Sequence, residues 1–228
     1  MKLVLLPGLD GTGILFKPLI DALPKNINIL LISYTNDEKM NYEQLTKLVI
    51  LKLPKEEEYI LLAESFSGPI AYQVAMQSPK NLKSIIFVAT FLQNPRPILS
   101  KFLTINFLNI LFSFSPPKFI LKWLLLSSKT NNETINLLAV TLKKISPKII
   151  TWRLQQIIKL KEPINKLDLD AIYISATTDK LVAYEAINFM TKWIPKLKIY
   201  RVTGGHLILQ NNPLDCVKII LNHLSRDI

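Results

Sequence analysis

The sequence predicts one α/β domain built on a doubly wound, mainly parallel sheet with helices on both faces. Three observations carry that reading. Short aliphatic runs recur along the chain, segments of helical period lie between them, and the runs are apolar nearly throughout rather than at every second residue. The third observation sets the sheet type, because strands alternate when one face meets water and lose the alternation when helices cover both faces. A chain of 228 residues suits a single core with room for one insertion.

The predicted strands are Lys2 to Leu6, Asn28 to Ser33, Tyr59 to Ala63, Ser84 to Ala89, Ala171 to Ala176 and Leu197 to Val202. Helical spacing, with proline, asparagine or lysine at the ends, predicts helices over Phe16 to Leu23, Tyr42 to Leu53, Pro69 to Gln77, Tyr184 to Trp193 and Leu214 to Leu224. Right-handed crossovers in such a repeat place the ligand crevice at the carboxyl ends of the strands. One interval breaks the rhythm: about 80 residues separate Ala89 from Ala171, far more than a crossover needs. That excess is read as a helical cap over residues 93–165, between core segments 1–92 and 166–228. Its apolar side chains include Phe102, Phe107, Leu108, Leu111, Phe112, Phe114, Phe119, Trp123 and Leu124.

Composition narrows the function classes. Cys216 has no cysteine to pair with and no cysteine or histidine cluster beside it, so it reads as a small buried apolar residue rather than a disulfide or metal ligand. The apolar stretch at the N-terminus is too short for a secretory signal. The longest apolar region, Ile98 to Leu126, is broken by Lys101, Pro116, Pro117, Lys118 and Lys122, so it cannot supply an uninterrupted span of about 20 residues. A soluble, cytoplasmic protein is expected. The net charge of +11 attracts polyanions in general, but the lysines are dispersed, no basic run of five occurs, and no nucleic-acid-binding signature is present. Nucleic acid is therefore not the expected partner, while weak contact with an anionic membrane surface stays open.

The sharpest local signal is Leu62-Ala63-Glu64-Ser65-Phe66-Ser67-Gly68-Pro69, which sets a serine between a strand end and a helix start. The G-x-S-x-G form of such an elbow needs small residues two before and two after the serine, where backbone meets backbone in a strained turn. Ala63 and Ser67 fill those places. Gly68 and Ala71 keep the helix thin where it approaches the sheet, and Pro69 fits a first turn whose N–H has no partner to lose.

With this elbow, an early Leu6-Pro7-Gly8-Leu9-Asp10-Gly11-Thr12-Gly13 loop, and a later acid and histidine in the same order, the chain resembles the α/β-hydrolase superfamily over nearly its whole length. The likeness is to its esterase, lipase and acyltransferase branches. It departs in lacking the glycine pair and in having Pro7 where many relatives place a histidine before Gly8. The resemblance implies about six mainly parallel strands with a helical cap inserted before the last two, and an oxyanion hole formed by the backbone N–H groups of Leu9 and Phe66. A phosphate-binding reading of Gly8, Gly11 and Gly13 is weaker, because their spacing matches neither G-x-G-x-x-G nor G-x-x-x-x-G-K-[ST].

Activating Ser65 requires a base, and the chain has two histidines. His206 follows the last strand and so emerges at the elbow's edge, whereas His223 lies within the C-terminal helix as a surface or boundary residue. Of the later acids, Asp168 and Asp170 precede the strand from Ala171 and Asp179 follows it; a six-residue strand separates the two edges by roughly 20 Å, which selects Asp179. Glu64 reads as structural, bonded to neighbouring backbone or cap groups. The expected chemistry is ester or thioester cleavage of a lipophilic acyl substrate through Ser65, His206 and Asp179, with no cofactor and no metal. Activity should rise with the ionisation of a histidine of ordinary pKa, about 6.5. Acyl transfer by the same residues, or a silent ligand-binding protein on the same fold, are the alternatives.

Overall fold

The computed structural model describes residues 1–97 and 132–225. Its centre is a six-stranded, wholly parallel sheet in the order β2-β1-β3-β4-β5-β6. The strands are β1 (Lys2–Leu6), β2 (Asn28–Leu31), β3 (Tyr59–Glu64), β4 (Leu82–Val88), β5 (Ala171–Ala176) and β6 (Leu197–Val202). The helices are α1 (Lys17–Ala22), α2 (Tyr42–Lys52), α3 (Gly68–Ala75), α4 (Asn132–Lys143), α5 (Pro147–Ile158), α6 (Tyr184–Trp193), α7 (Ile208–Asn211) and α8 (Pro213–Leu224).

Burial explains why the strands do not alternate. Val4, Leu61, Ile85 and Tyr173 point to one face under α2, α3 and α6, where Leu45, Val49, Val74 and Met190 meet them. Their neighbours Leu3, Leu5, Ile60, Ile86 and Ile172 point to the other face, against Leu19 of α1 and Cys216, Val217 and Ile220 of α8. Only the edge strands β2 and β6 are largely uncovered. Cys216 is fully buried, as its sequence context suggested, and burial pushes its thiol up to about 12.

Local chemistry fixes the helix starts. The Asn41 side chain accepts the Gln44 N–H while the Gln44 side chain accepts the Asn41 N–H, both at 2.9 Å, which closes a capping box on α2. Prolines open α3, α5 and α8 in their first turns, where no N–H is lost from a helical ladder. β2 is shorter than the predicted Asn28 to Ser33. The Ile32 N–H still bonds to the Leu5 carbonyl, but Pro7, next on β1, has no N–H with which to continue the ladder.

Between β4 and β5 the chain leaves the core. α4 and α5 lie over the loops at the carboxyl edge: Leu138 packs with Leu15 and Leu207, Ile149 and Ile150 with Leu9, and Ile157 with Phe91 and Val182. Phe102, Phe107, Leu108, Leu111, Phe112, Phe114, Phe119, Trp123 and Leu124 fall outside the described residues. Among the described residues, no helix is long and apolar enough to cross a membrane.

Candidate active site

β3 runs straight into a 3-10 turn, Ser65–Ser67, and then α3, so Ser65 occupies the bend between strand and helix. Its φ of +48° lies in the left-handed region that side chains other than glycine rarely adopt. Strain of this kind persists only where surrounding contacts hold it, and the holding bonds are present. The Thr90 hydroxyl at the end of β4 donates to the Ser65 carbonyl, and the Ser67 hydroxyl donates to the Pro7 carbonyl while meeting the Tyr34 hydroxyl. Glycine is required at 68, since a Cβ there would lie 2.0 Å from Thr90 Oγ1.

His206 follows β6 and Asp179 follows β5, so parallel strands deliver both to the edge where Ser65 sits. Ser65 Oγ lies 2.8 Å from His206 Nε2, and His206 Nδ1 lies 2.8 Å from Asp179 Oδ2. The other Asp179 oxygen accepts the N–H groups of Leu181 and Val182 at 2.8 and 2.9 Å, which fixes the carboxylate. Burial disfavours charge on both partners. For Asp179, the charge and hydrogen bond of His206, with the two N–H donors, outweigh burial and hold its pKa below the usual value. For His206, burial is outweighed by the charge and hydrogen bond of Asp179 and by the charge of Glu64, so its pKa is raised. The arrangement can take a proton from the serine hydroxyl and stabilise the imidazolium that results.

The loop after β1 lies against this group. A Cβ on Gly8 would stand 3.7 Å from Ser65 Cβ, which shows how closely the backbone approaches the serine. Asp10 shapes the loop: its Oδ2 accepts the N–H of Thr12 at 2.9 Å and of Gly13 at 3.3 Å, and the Thr12 hydroxyl as well. Arg153, reaching in from α5 and buried, donates to the carbonyls of Leu9 and Asp10 at 3.0 and 2.8 Å and to the Thr35 carbonyl at 2.8 Å. Gly11, at φ +68°, leaves the space its guanidinium needs; a Cβ there would be 2.4 Å from Nη1. Among the described residues, the Leu9 N–H has no acceptor.

The other sequence candidates separate clearly. Asp168 is exposed and paired with Lys196 at the opposite edge, and the Asp170 carbonyl accepts the Ile85 N–H at the start of the β4–β5 ladder. His223 is buried rather than at the surface, its Nε2 2.8 Å from Ser84 Oγ in the core, because it falls on the inward face of α8. Glu64 is buried beside the nucleophile, and its bond is to a side chain rather than to backbone: Gln210 Nε2 donates to it at 2.9 Å. Burial pushes its pKa up to about 7, against the Gln210 hydrogen bond that lowers it. Arg153 and Gln210 were not singled out from the sequence, where one arginine or glutamine in an amphipathic stretch carries no signal. Asp10 had one, since Asp-Gly-Thr is a sequence that forms a side-chain-closed turn.

A cavity of about 220 Å³ opens over Ser65 and His206. Its described wall is mostly aliphatic and comes largely from the α4–α5 layer: Leu138, Leu142, Ile150, Leu154 and Ile157, with Val182 opposite. Among the described residues, no cluster of three or more His, Cys, Asp or Glu side chains could hold a metal ion.

The sequence matches no protein-family model and no curated relative. Solved structures resemble it in fold. A thermophilic esterase from Thermogutta terrifontis is 14% identical, with a TM-score of 0.82 over 100% of this chain and 90% of its own. An esterase from Exiguobacterium antarcticum is 14% identical, with a TM-score of 0.79 over 99% and 92%. A lipase-esterase related protein from Clostridium acetobutylicum is 16% identical, with a TM-score of 0.78 over 97% and 93%. The chain has the α/β-hydrolase fold.

Proposed function

We propose that the protein is a serine hydrolase that cleaves a carboxylic ester or thioester of a lipophilic acyl group. The observation that carries this reading is the Ser65–His206–Asp179 hydrogen-bonded chain opening into an aliphatic cavity. His206 takes the proton of Ser65 as Oγ attacks the carbonyl carbon, and Asp179 keeps Nδ1 protonated so that Nε2 is free to accept it. The negative oxygen of the tetrahedral intermediate is received by the N–H groups of Leu9 and Phe66, donors that cost no reorganisation because the loop and elbow are already tied. Collapse expels the alcohol or thiol with the proton from His206. Water, deprotonated by the same imidazole, then releases the acid from acyl-Ser65.

The esterase names of the solved neighbours support ester chemistry, and the cavity wall supports a lipophilic acyl chain. Residues 93–165 act in this reading as the cap that builds that wall. The test has two parts. A fluorescent phosphonate should label Ser65 and lose its target in Ser65→Ala; labelling elsewhere overturns the assignment. Catalytic efficiency on monomeric esters from acetyl to dodecanoyl should climb to a maximum, because each buried methylene contributes about 0.8 kcal/mol until the cavity is full. A steady fall from acetyl onward overturns the lipophilic pocket, and transfer to an added alcohol in place of free acid overturns hydrolysis.

A further inference from the structure

Positive charge is concentrated in one part of the chain. Between residues 98 and 166 eleven lysines and arginines stand against two acids, Glu133 and Glu162, a net of +9 out of the total +11. The remaining residues hold seventeen basic side chains against fifteen acidic ones, a net of +2. The lysines are dispersed along the sequence, as first read, but the carboxylates that neutralise them are not. A merely lysine-rich composition would have left both parts basic in proportion to their length.

The structure shows the same asymmetry in its ion pairs. The ion pairs among the described residues lie on the core, where Lys2, Lys17, Lys47, Lys83, Lys196 and Lys218 each meet a carboxylate, although other core lysines such as Lys25, Lys52, Lys55 and Lys80 meet none. Lys143, Lys144 and Lys148 at the α4–α5 junction, and Lys159 and Lys161 beyond α5, are exposed and pair with no carboxylate among the described residues. These lysines bracket α5, a helix roughly 18 Å long whose inward residues Ile150, Leu154 and Ile157 line the cavity. Exposed apolar side chains flank them in sequence, Val140 at 51% and Ile164 at 89%.

We propose that the lysine-bearing surface at the α4–α5 junction and just beyond α5 docks on an anionic lipid bilayer, so that a lipophilic substrate reaches the cavity from the membrane surface. The second half of that statement rests on the serine-hydrolase reading; the docking itself does not. Unpaired lysines gain from the negative potential of a leaflet rich in acidic lipid, and the gain fades beyond a Debye length of about 10 Å. Exposed aliphatic groups flanking them favour a bilayer over nucleic acid, whose phosphates offer such groups nothing.

The test is partitioning of the full chain onto sedimenting vesicles of phosphatidylcholine, with and without one third phosphatidylglycerol. Wild type should bind the anionic vesicles about a hundredfold better and release at high salt. The variant carrying Lys143→Glu, Lys144→Glu, Lys148→Glu and Lys159→Glu should lose that preference while cleaving soluble short esters normally. A variant of equal net charge carrying Lys25→Glu, Lys52→Glu, Lys55→Glu and Lys80→Glu should keep it. Equal loss in both variants, no preference for anionic vesicles, or displacement by duplex DNA at the same charge concentration overturns the proposal. Ser65→Ala must bind like wild type. Vesicle binding without ester cleavage therefore sinks the hydrolase reading alone, and ester cleavage without vesicle binding sinks the docking alone.

Discussion

Two serine–histidine pairs stand at opposite edges of the sheet, each closed at 2.8 Å: Ser65 with His206 and Ser84 with His223. In the length of that contact they are equal. The difference lies in what surrounds them. Ser84 is fully buried in strand β4 beneath α8, just after a register shift in the β3–β4 pairing, whereas Ser65 is lifted out of β3 by a left-handed bend and faces the cavity. His206 is held from behind by Asp179, itself fixed by two backbone N–H groups. A serine–histidine contact in a parallel sheet is therefore not a site by itself. The Ser65 contact lies at the carboxyl edge, where loops bring an acid and an opening beside it.

The largest expected effect breaks or upholds that contrast directly. Ser65→Ala and His206→Ala should each lower kcat/KM by at least about four powers of ten, and combining them should cost little more, because members of one relay act as a unit. Ser84→Ala should leave turnover near wild type and cost about 1 kcal/mol of stability, the net worth of the one buried hydrogen bond it removes. Steady-state kinetics with thermal melts measure both. Loss of activity without loss of stability in Ser84→Ala would reverse the assignment of the two ends.

Asp179→Asn sharpens the comparison at its third member. The amide cannot balance the imidazolium and favours the wrong tautomer, so turnover should fall by about 10⁴ with the fold intact. The same substitution at Asp168, at the other edge of β5, should leave turnover unchanged. An inverted result would mean that the base is oriented by a different acid.

Next in size is the loop that gives the catalytic end its opening. Arg153→Met removes the donors that hold the Leu9 and Asp10 carbonyls and so frees the Leu9 N–H to wander. Deleting an oxyanion donor outright costs about 10² to 10³ in kcat, and a loosened one should cost about tenfold in kcat with KM little changed. Arg153→Lys, which can still reach one carbonyl, should recover part of it. A loss confined to KM or to melting temperature would make Arg153 a packing residue only.

How much of this was legible beforehand depends on the range of the contact. β1, β5, β6 and α6 match their predicted bounds, since hydrophobic runs and flanking prolines or asparagines are local properties. The order elbow, acid, histidine was legible because parallel topology turns chain order into a position at one edge. Arg153 was not, because it reaches across more than 140 residues of sequence to the Leu9 carbonyl and nothing near it marks that reach. The burial of His223 was missed for a related reason: helical spacing gives a period, but the facing direction of one residue depends on what packs against it.

The smallest effect concerns the charge around His206 and tests why its pKa departs from the ordinary value. In the proposed mechanism activity requires the neutral imidazole, so kcat/KM should rise as His206 loses its proton. Burial alone would move that ionisation below 6.5; the Asp179 charge and hydrogen bond and the Glu64 charge move it above, so the half-maximum should lie above 6.5. Glu64 is raised to about 7, first by burial and then by the Asp10 charge, against the Gln210 hydrogen bond and the His206 charge that lower it. Glu64→Gln keeps a carbonyl for Gln210 Nε2 and removes the charge, so the half-maximum should move down by about a few tenths of a pH unit, with the plateau rate preserved. The direction is the decisive part: a negative neighbour favours the imidazolium, and its removal can only ease deprotonation. An unchanged half-maximum would show that Glu64 stays protonated throughout and serves only as the partner of Gln210. An upward move would show that the carboxyl was donating a hydrogen bond toward the catalytic group, and that its neutral form is the one the site uses.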